Sequence, residues 1–271
     1  MSGTIFKVND LSYTYPGGLA GLHDINFSVS RGENIAFLGV NGSGKSTLLK
    51  LIDGLYFPNK GTIAAFGEPL TEQQLRDEEF AFAFRRRVGF LFQDPDSQLF
   101  LPTVWQEVAF SPLQMGLAKE EAAEKTNAAL KALGIEKLKD RIPYQLSEGE
   151  KKKVALASLL ALDPEVWLLD EPTANLDPRT QDWVIEFILS LAEKGKTLVV
   201  AIHELEVAKV IAHRAYILGE DHSLAAQGDP REILQDEELL LRVNLMHRRR
   251  HCHPGLTHRH PYQHSHQHPR K

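Results

Sequence analysis

Four nearly uninterrupted apolar runs punctuate the chain: Asn34-Ile35-Ala36-Phe37-Leu38, Val88-Gly89-Phe90-Leu91-Phe92, Val166-Trp167-Leu168-Leu169 and Thr197-Leu198-Val199-Val200-Ala201-Ile202. Each reads as a buried strand. Residues 4–35 instead alternate apolar and polar positions, as in Ile25-Asn26-Phe27-Ser28-Val29, with Pro16-Gly17-Gly18 as a turn. That pattern predicts a few antiparallel strands. Lys45-Ser46-Thr47-Leu48-Leu49-Lys50-Leu51-Ile52 reads as a helix, and Gly61-Thr62-Ile63-Ala64-Ala65-Phe66-Gly67 as a strand closed by a turn. Residues 71–87 predict a polar helix whose basic end, Arg85-Arg86-Arg87, suits the helix dipole. Residues 103–163 look almost wholly helical, with Leu113, Leu117, Ala122, Leu130 and Leu133 compatible with amphipathic helices and Pro143 breaking the run. Strands alternating with helices predict an α/β fold on a mostly parallel sheet covered on both faces.

The residues at the ends of these runs carry the chemistry. After the first comes Gly39-Val40-Asn41-Gly42-Ser43-Gly44-Lys45-Ser46, which fits G-x-x-x-x-G-K-[ST] between a strand and a helix. Its glycines let the backbone curl so that N–H groups face inward, and the helix N-terminus adds partial positive charge. Lys45 would reach the β- and γ-phosphates, Ser46 would offer its hydroxyl to Mg²⁺, and Thr47 completes the expected nucleotide-binding set. Val166–Leu169 is followed by Asp170 and Glu171, placing Asp170 at the strand edge where open α/β sheets bind ligands. His203 ends the last run, and Gln93 ends the second.

Several of these residues have a plainer reading as well. Tyr15, in Leu11-Ser12-Tyr13-Thr14-Tyr15-Pro16-Gly17, can stack on a nucleobase or pack within a sheet. Ser147 and Glu150 stand in S-x-x-E spacing, so Ser147 can simply cap a helix. Glu171 before Pro172 can be an acid favoured by a helix dipole, and His203 a surface histidine.

Composition narrows the classes. The chain has 271 residues, 42% hydrophobic and 25% charged, as in ordinary globular proteins. A single cysteine, Cys252, excludes an internal disulfide framework and suits a reducing compartment. No stretch approaches the roughly 18 apolar residues of a membrane span, and the start, Met1-Ser2-Gly3-Thr4-Ile5-Phe6-Lys7, lacks the pattern of a signal peptide. The net charge is −5, yet residues 247–271 hold six cationic side chains and no acid, so the body before them carries −11. An acidic body argues against a nucleic-acid partner.

In order, the phosphate loop, Gln93, Leu146-Ser147-Glu148-Gly149, the strand with Asp170-Glu171, Ala174-Asn175-Leu176-Asp177 and His203 resemble the nucleotide-binding subunit of ABC transporters over residues 4–228. Arginine fingers, a kinase catalytic loop and a GTPase base-reading motif are not visible. The resemblance implies a P-loop ATPase with an antiparallel β-subdomain, a helical subdomain at about 103–163, and ATP and Mg²⁺ as cofactors. It implies that Tyr15 stacks on adenine and that Ser46, Gln93 and Asp170 serve Mg²⁺. Glu171 would polarise the attacking water, His203 would contact the γ-phosphate, and Asp177 would communicate across a dimer. Ser147 and Gly149 would bind the γ-phosphate held by a second subunit. The family signature is usually Leu-Ser-Gly-Gly-Gln, so Glu148 and Glu150 depart from it. An added carboxylate near phosphate repels it, and Glu148 is expected to face outward because Gly149 is the close-approach position.

Phe92-Gln93-Asp94-Pro95-Asp96-Ser97-Gln98-Leu99-Phe100, with Tyr13-Thr14-Tyr15-Pro16-Gly17, looks like the ATPases of energy-coupling-factor transporters, which import vitamins, cobalt or nickel. The implied partners are a second ATPase subunit, identical or paralogous, a transmembrane coupling protein and a substrate-binding membrane protein, with this chain at the cytoplasmic face. Residues 229–246 read as a short helical segment. Residues 247–271 lack a core-forming pattern and are expected to be disordered. They hold eight histidines, among them His251, His253, His258, His260, His264, His266 and His268, besides Cys252. Imidazole suits nickel and cobalt, so these residues are candidate ligands; a basic solubilising tail or a purification tag is the alternative. The leading expectation is a nickel or cobalt importer ATPase. A vitamin importer, an ABC-type ATPase acting on DNA or ribosomes, and a metal store are the competing ones; a coiled coil, zinc hook or second ATPase half, which would favour the DNA or ribosome class, is not visible.

Overall fold

A computed structural model describes residues 3–253 and 256–263, with side chains through His247. The chain divides into two units, one of residues 3–69 and 201 onward, the other of residues 70–200.

The first unit begins with β1 (Thr4–Thr14) and β2 (Ala20–Ser30), antiparallel and joined across the predicted Pro16-Gly17-Gly18 turn. Phe6 and Val8 of β1, then Leu11 and Tyr13 after a bulge, and Ile25, Phe27 and Val29 of β2 are buried, an alternation interrupted only at the bulge. Next, β3 (Asn34–Leu38), buried at every position, runs into the phosphate loop and α1 (Lys45–Ile52). Then β4 (Lys60–Ala65) pairs antiparallel with β1, and β5 (Glu68–Pro69) closes a sheet of order β2-β1-β4-β5.

The second unit opens with α2 (Glu72–Leu75) and α3 (Glu78–Arg87). The single helix expected over 71–87 is divided because the Asp77 carboxylate accepts the Phe80 amide at 2.9 Å and starts a new helix there. The next strand, β6 (Val88–Leu91), pairs parallel with β7 (Val166–Asp170), Val88 opposite Val166 through Leu91 opposite Leu169. Between them lie α4 (Val104–Gln114), α5 (Lys119–Ala132) and α6 (Glu148–Leu162), with short 3₁₀ turns at Glu136–Leu138 and Pro143–Gln145. The helical run expected over 103–163 breaks before Pro143: α5 ends at Ala132, Gly134 follows at φ 66°, and Pro143 instead starts the second 3₁₀ turn. After β7, α7 (Pro178–Glu193) lays Phe187 edge-on to the buried Trp167, ring centroids 5.9 Å apart. The buried strand β8 (Thr197–Ile202) follows.

The chain re-enters the first unit through α8 (Leu205–Ile211), β9 (Arg214–Leu218) and β10 (Leu224–Gly228). Here β9 is parallel to β3 and antiparallel to β10. Phe27, Phe37 and Tyr216 form the aromatic cluster that fixes β2, β3 and β9 together, with centroids 5.0–5.7 Å apart. Residues 229–246 contain α9 (Pro230–Ile233) and α10 (Glu237–Arg242).

The last elements differ from expectation. Instead of an unstructured tail, β11 (Met246–His253) pairs antiparallel with β12 (Leu256–Gln263), from Met246 opposite Gln263 to His253 opposite Leu256. Two segments separated by Pro254-Gly255 have the spacing of a hairpin, a local signal that composition does not register.

Candidate functional site

The first unit carries the phosphate loop. Gly44 has φ 107° at the N-cap of α1, where a side chain would be strained and would meet Leu22 and the Gly21 carbonyl. A Cβ on Gly39 would overlap Ser43 Oγ. Glycine at these positions therefore lets the loop fold tightly over the helix end. Lys45 is buried, and its ammonium donates to the carbonyls of Gly39 (2.7 Å) and Val40 (3.2 Å), the two residues that start the loop. Ser43 Oγ is buried with no hydrogen-bond partner among the described residues. Ser46 is half-buried, Asn41 and Gly42 are exposed, and Thr47 is buried. Donors, a buried cation and a hydroxyl thus converge on one concave turn, which is the chemistry a triphosphate needs.

Tyr15 is half-buried, and its hydroxyl shares a hydrogen bond with the Thr47 hydroxyl. Its ring is edge-on to Tyr13 (5.1 Å) and Tyr56 (6.3 Å), which stack on each other at 5.4 Å. The tyrosine is thereby tied to the first turn of α1 as well as packed in its sheet. His203, half-buried, also belongs to this unit and comes just after the last residue of β8.

The second unit carries the carboxylates and the signature. Asp170 ends β7, and Glu171 follows with φ 46°; both are buried, 2% and 3% exposed. Gln93 is exposed just beyond β6 and starts a braced loop. In that loop the Asp94 carboxylate accepts from the Asp96 amide (2.9 Å) and the Ser97 hydroxyl (3.4 Å), and Gln98 Oε1 accepts from the Phe92 amide (3.2 Å). Downstream, buried Glu107 accepts the amides of Phe100 (2.9 Å) and Leu101 (2.6 Å). Burial raises the Glu107 pKa against the pull of those two amides.

Ser147 is the N-cap of α6, and Glu150 completes a capping box. The Ser147 amide and hydroxyl both donate to Glu150 Oε2 at 2.9 Å, and they hold the Glu150 carboxyl below its ordinary pKa. Asp177 caps α7 by accepting from the amides of Arg179 and Thr180 (3.1 Å each) and from the Thr180 hydroxyl (2.6 Å). The Thr180 hydroxyl and amide hold the Asp177 carboxyl below the usual range. Ser147, Glu148, Gly149, Glu150, Asp177 and Thr180 line a hollow of about 320 Å³. A Cβ on Gly149 would sit 3.3 Å from Thr180 Cγ2, so the backbone approaches α7 closely there. Glu148 lines the same hollow, with its carboxylate held by Lys151 Nζ at 3.1 Å.

Sequence reasoning placed no weight on Lys151, Lys152 or Glu107. The available signal was helical spacing: Ala155, Leu156 and Leu159 follow Lys152 at intervals that put them on one face, marking that face as buried. The side chains of His251, Cys252, His253, His258 and His260 lie outside the described residues, as do His264, His266 and His268 altogether.

The loop-bearing strand and helix, the strand ending in paired acids and the capped signature turn belong to the class of P-loop ATPases built as ATP-binding cassettes. The chain belongs to the ABC transporter family, whose model matches residues 22–174, and it is an ATP-binding protein and an ATPase. It is 48% identical over 254 residues to a putative ABC transporter ATP-binding protein of Methanosarcina acetivorans, covering 93% of this chain and 92% of the relative. It is 46% identical over 244 residues to the nickel import ATP-binding protein NikO of Rhodobacter capsulatus, covering 89% and 95%. Among solved structures, cbiO1 of Clostridium perfringens, described as part of the ABC transporter complex cbiONQ, superimposes with a TM-score of 0.74 at 35% identity, covering 90% and 95%. Among the described residues, no helix is long and apolar enough to cross a membrane.

Proposed function

We propose that this chain is the ATP-hydrolysing subunit of an energy-coupling-factor type importer for nickel or cobalt, working at the cytoplasmic face of the membrane as a homodimer or with a paralogue. ATP-binding subunits of this family act as dimers on membrane subunits. The observation that carries the reading is the braced Gln93–Gln98 loop attached to the capped signature helix, in a chain 46% identical to a nickel import ATP-binding protein.

Each residue has a defined task in this reading. Lys45 exchanges its two loop carbonyls for phosphate oxygens, and the inward amides of the loop take the remaining charge. Tyr15 offers a ring face to the base. Ser46, Asp170 and Gln93 supply only oxygen donors, which fits Mg²⁺. That ion, when bound, neutralises phosphate charge. Glu171 orients a water and takes its proton as the water oxygen attacks the γ-phosphorus and the bond to the β-phosphate oxygen breaks. His203 donates to a γ-phosphate oxygen. Ser147 and Gly149 receive the triphosphate of a second subunit, and Asp177 reports across that contact. The histidines of residues 247–271 bind the transported metal weakly and locally.

The test is uptake of labelled nickel, cobalt and a vitamin panel by the chain assembled with its membrane subunits. ATP-dependent nickel or cobalt uptake, abolished by Lys45→Met, is expected. Uptake of a vitamin alone would move the chain to the vitamin branch, and no uptake of any of them would refute the importer reading.

A further inference from the structure

Two lysines in the first turns of α6 have no part in the roles above. Lys151, 9% exposed at its side chain, pairs with Asp96 at 2.8 Å and with Glu148 at 3.1 Å. Lys152, 1% exposed, donates to the Gln93 carbonyl at 2.8 Å. The loop they hold is already braced internally by Asp94 and by the Gln98–Phe92 bond. Among the described residues, its hydrogen bonds to α6 come from two ammonium groups, adjacent in sequence, gripping one side chain and one backbone carbonyl. The same turn of α6 holds Ser147 through Glu150, and Lys151 fixes Glu148.

Lys152 is a costly residue for mere filling. Burial lowers its pKa to about 8, against the attraction of Asp170, Asp94, Glu148 and Glu171. A methionine would fill similar space without desolvating a charge, but it would remove the donor to Gln93.

We infer that Lys151 and Lys152 are positioning residues that lock the Gln93–Ser97 loop to the signature turn of α6, so that a displacement of the loop by a membrane partner carries Ser147 and Gly149 with it. The inference rests on the proposed importer reading, in which Gln93 serves Mg²⁺ and Ser147 and Gly149 face ATP, and it takes the exposed residues Gln93, Asp94, Asp96 and Ser97 as the part of the loop a membrane partner meets. It adds that the connection is two side chains rather than the helical region as a whole.

The test compares full-length parent, Lys152→Met, Lys152→Arg and Asp96→Asn by hydrogen exchange, nucleotide affinity and dimerisation with a non-hydrolysable ATP analogue. Lys152→Met is expected to raise exchange at residues 92–98 and to weaken analogue-driven dimerisation by about ten- to a hundredfold, the scale of losing a buried charged hydrogen bond. Nucleotide affinity should stay at the parent value. Lys152→Arg should restore both readouts, and Asp96→Asn should move them the same way by less. Exchange raised evenly along α6 as far as Leu162 would show a merely structural lysine and overturn the inference. So would a loosened loop with unchanged dimerisation. A parent that binds no nucleotide would instead bring down the ATPase reading, and the inference with it.

Discussion

The Ser147 hydroxyl donates to Glu150 Oε2 at 2.9 Å, and the Ser147 amide donates to the same oxygen at the same distance. The group expected to meet a phosphate is thus engaged with a carboxylate of its own helix. That carboxylate is charged through neutral pH, because its pKa is lowered. Its contribution to the helix cap is present above the ordinary carboxylate range and is lost as pH falls through the lowered value. Glu150→Gln keeps an acceptor for Ser147 and removes one negative charge from the hollow. Dimerisation with an ATP analogue should tighten by about fivefold to tenfold, roughly 1 kcal/mol for one solvated charge, as read by analytical ultracentrifugation. Unchanged or weaker association would mean that Glu150 does not oppose phosphate binding.

Lys45→Met removes the buried ammonium that fills the phosphate loop. Calorimetric titration with MgATP should show affinity lower by about a hundredfold, in line with a charge-assisted contact of roughly 3 kcal/mol. The circular dichroism spectrum should be unchanged. Parent-like affinity would place the triphosphate elsewhere.

Glu171→Gln should cut ATP turnover by at least about a hundredfold, the lower end of what a positioned base contributes, and should leave an ATP-bound dimer that persists on gel filtration. A monomeric variant hydrolysing at the parent rate would exclude Glu171 as the base.

Glu107 has a raised pKa, caused by burial. The protonated form is favoured in the folded state. Its stabilising contribution is full below the ordinary value of 4.5 and is lost as pH rises through the raised value. Glu107→Gln should therefore flatten the stability–pH curve above pH 4.5 in urea denaturation. Glu107→Ala removes the acceptor for two amides and should cost about 2–4 kcal/mol at all pH values. A Glu107→Gln curve parallel to the parent's would contradict the assignment.

Deleting residues 247–271 should leave ATPase activity within about twofold of the parent in metal-free buffer, since a contact outside the catalytic motifs contributes little to the chemical barrier. Nickel binding measured by equilibrium dialysis should fall sharply. A large loss of ATPase activity would give those residues a role in the nucleotide site.

The buried strands were legible because uninterrupted apolar runs such as Val166–Leu169 have few other uses. The phosphate loop was legible because its spacing and both flanks agree. The break at Asp77 was not, because it depends on one side chain competing for the Phe80 amide. Lys152 was hidden for a different reason. Nothing local singles out the middle of three successive lysines, and its partner is a carbonyl 59 positions earlier in the chain. The β11–β12 pairing was missed by weighing composition over local hairpin spacing.

Glu171 occupies the left-handed backbone region, where a side chain costs about 1 kcal/mol or more and glycine costs little. Glu171→Gly would relieve that strain but would also empty a buried position whose side chain is engaged. A strained backbone persists only where its surroundings over-determine it, so the acid is kept aimed in the resting protein, before any nucleotide arrives.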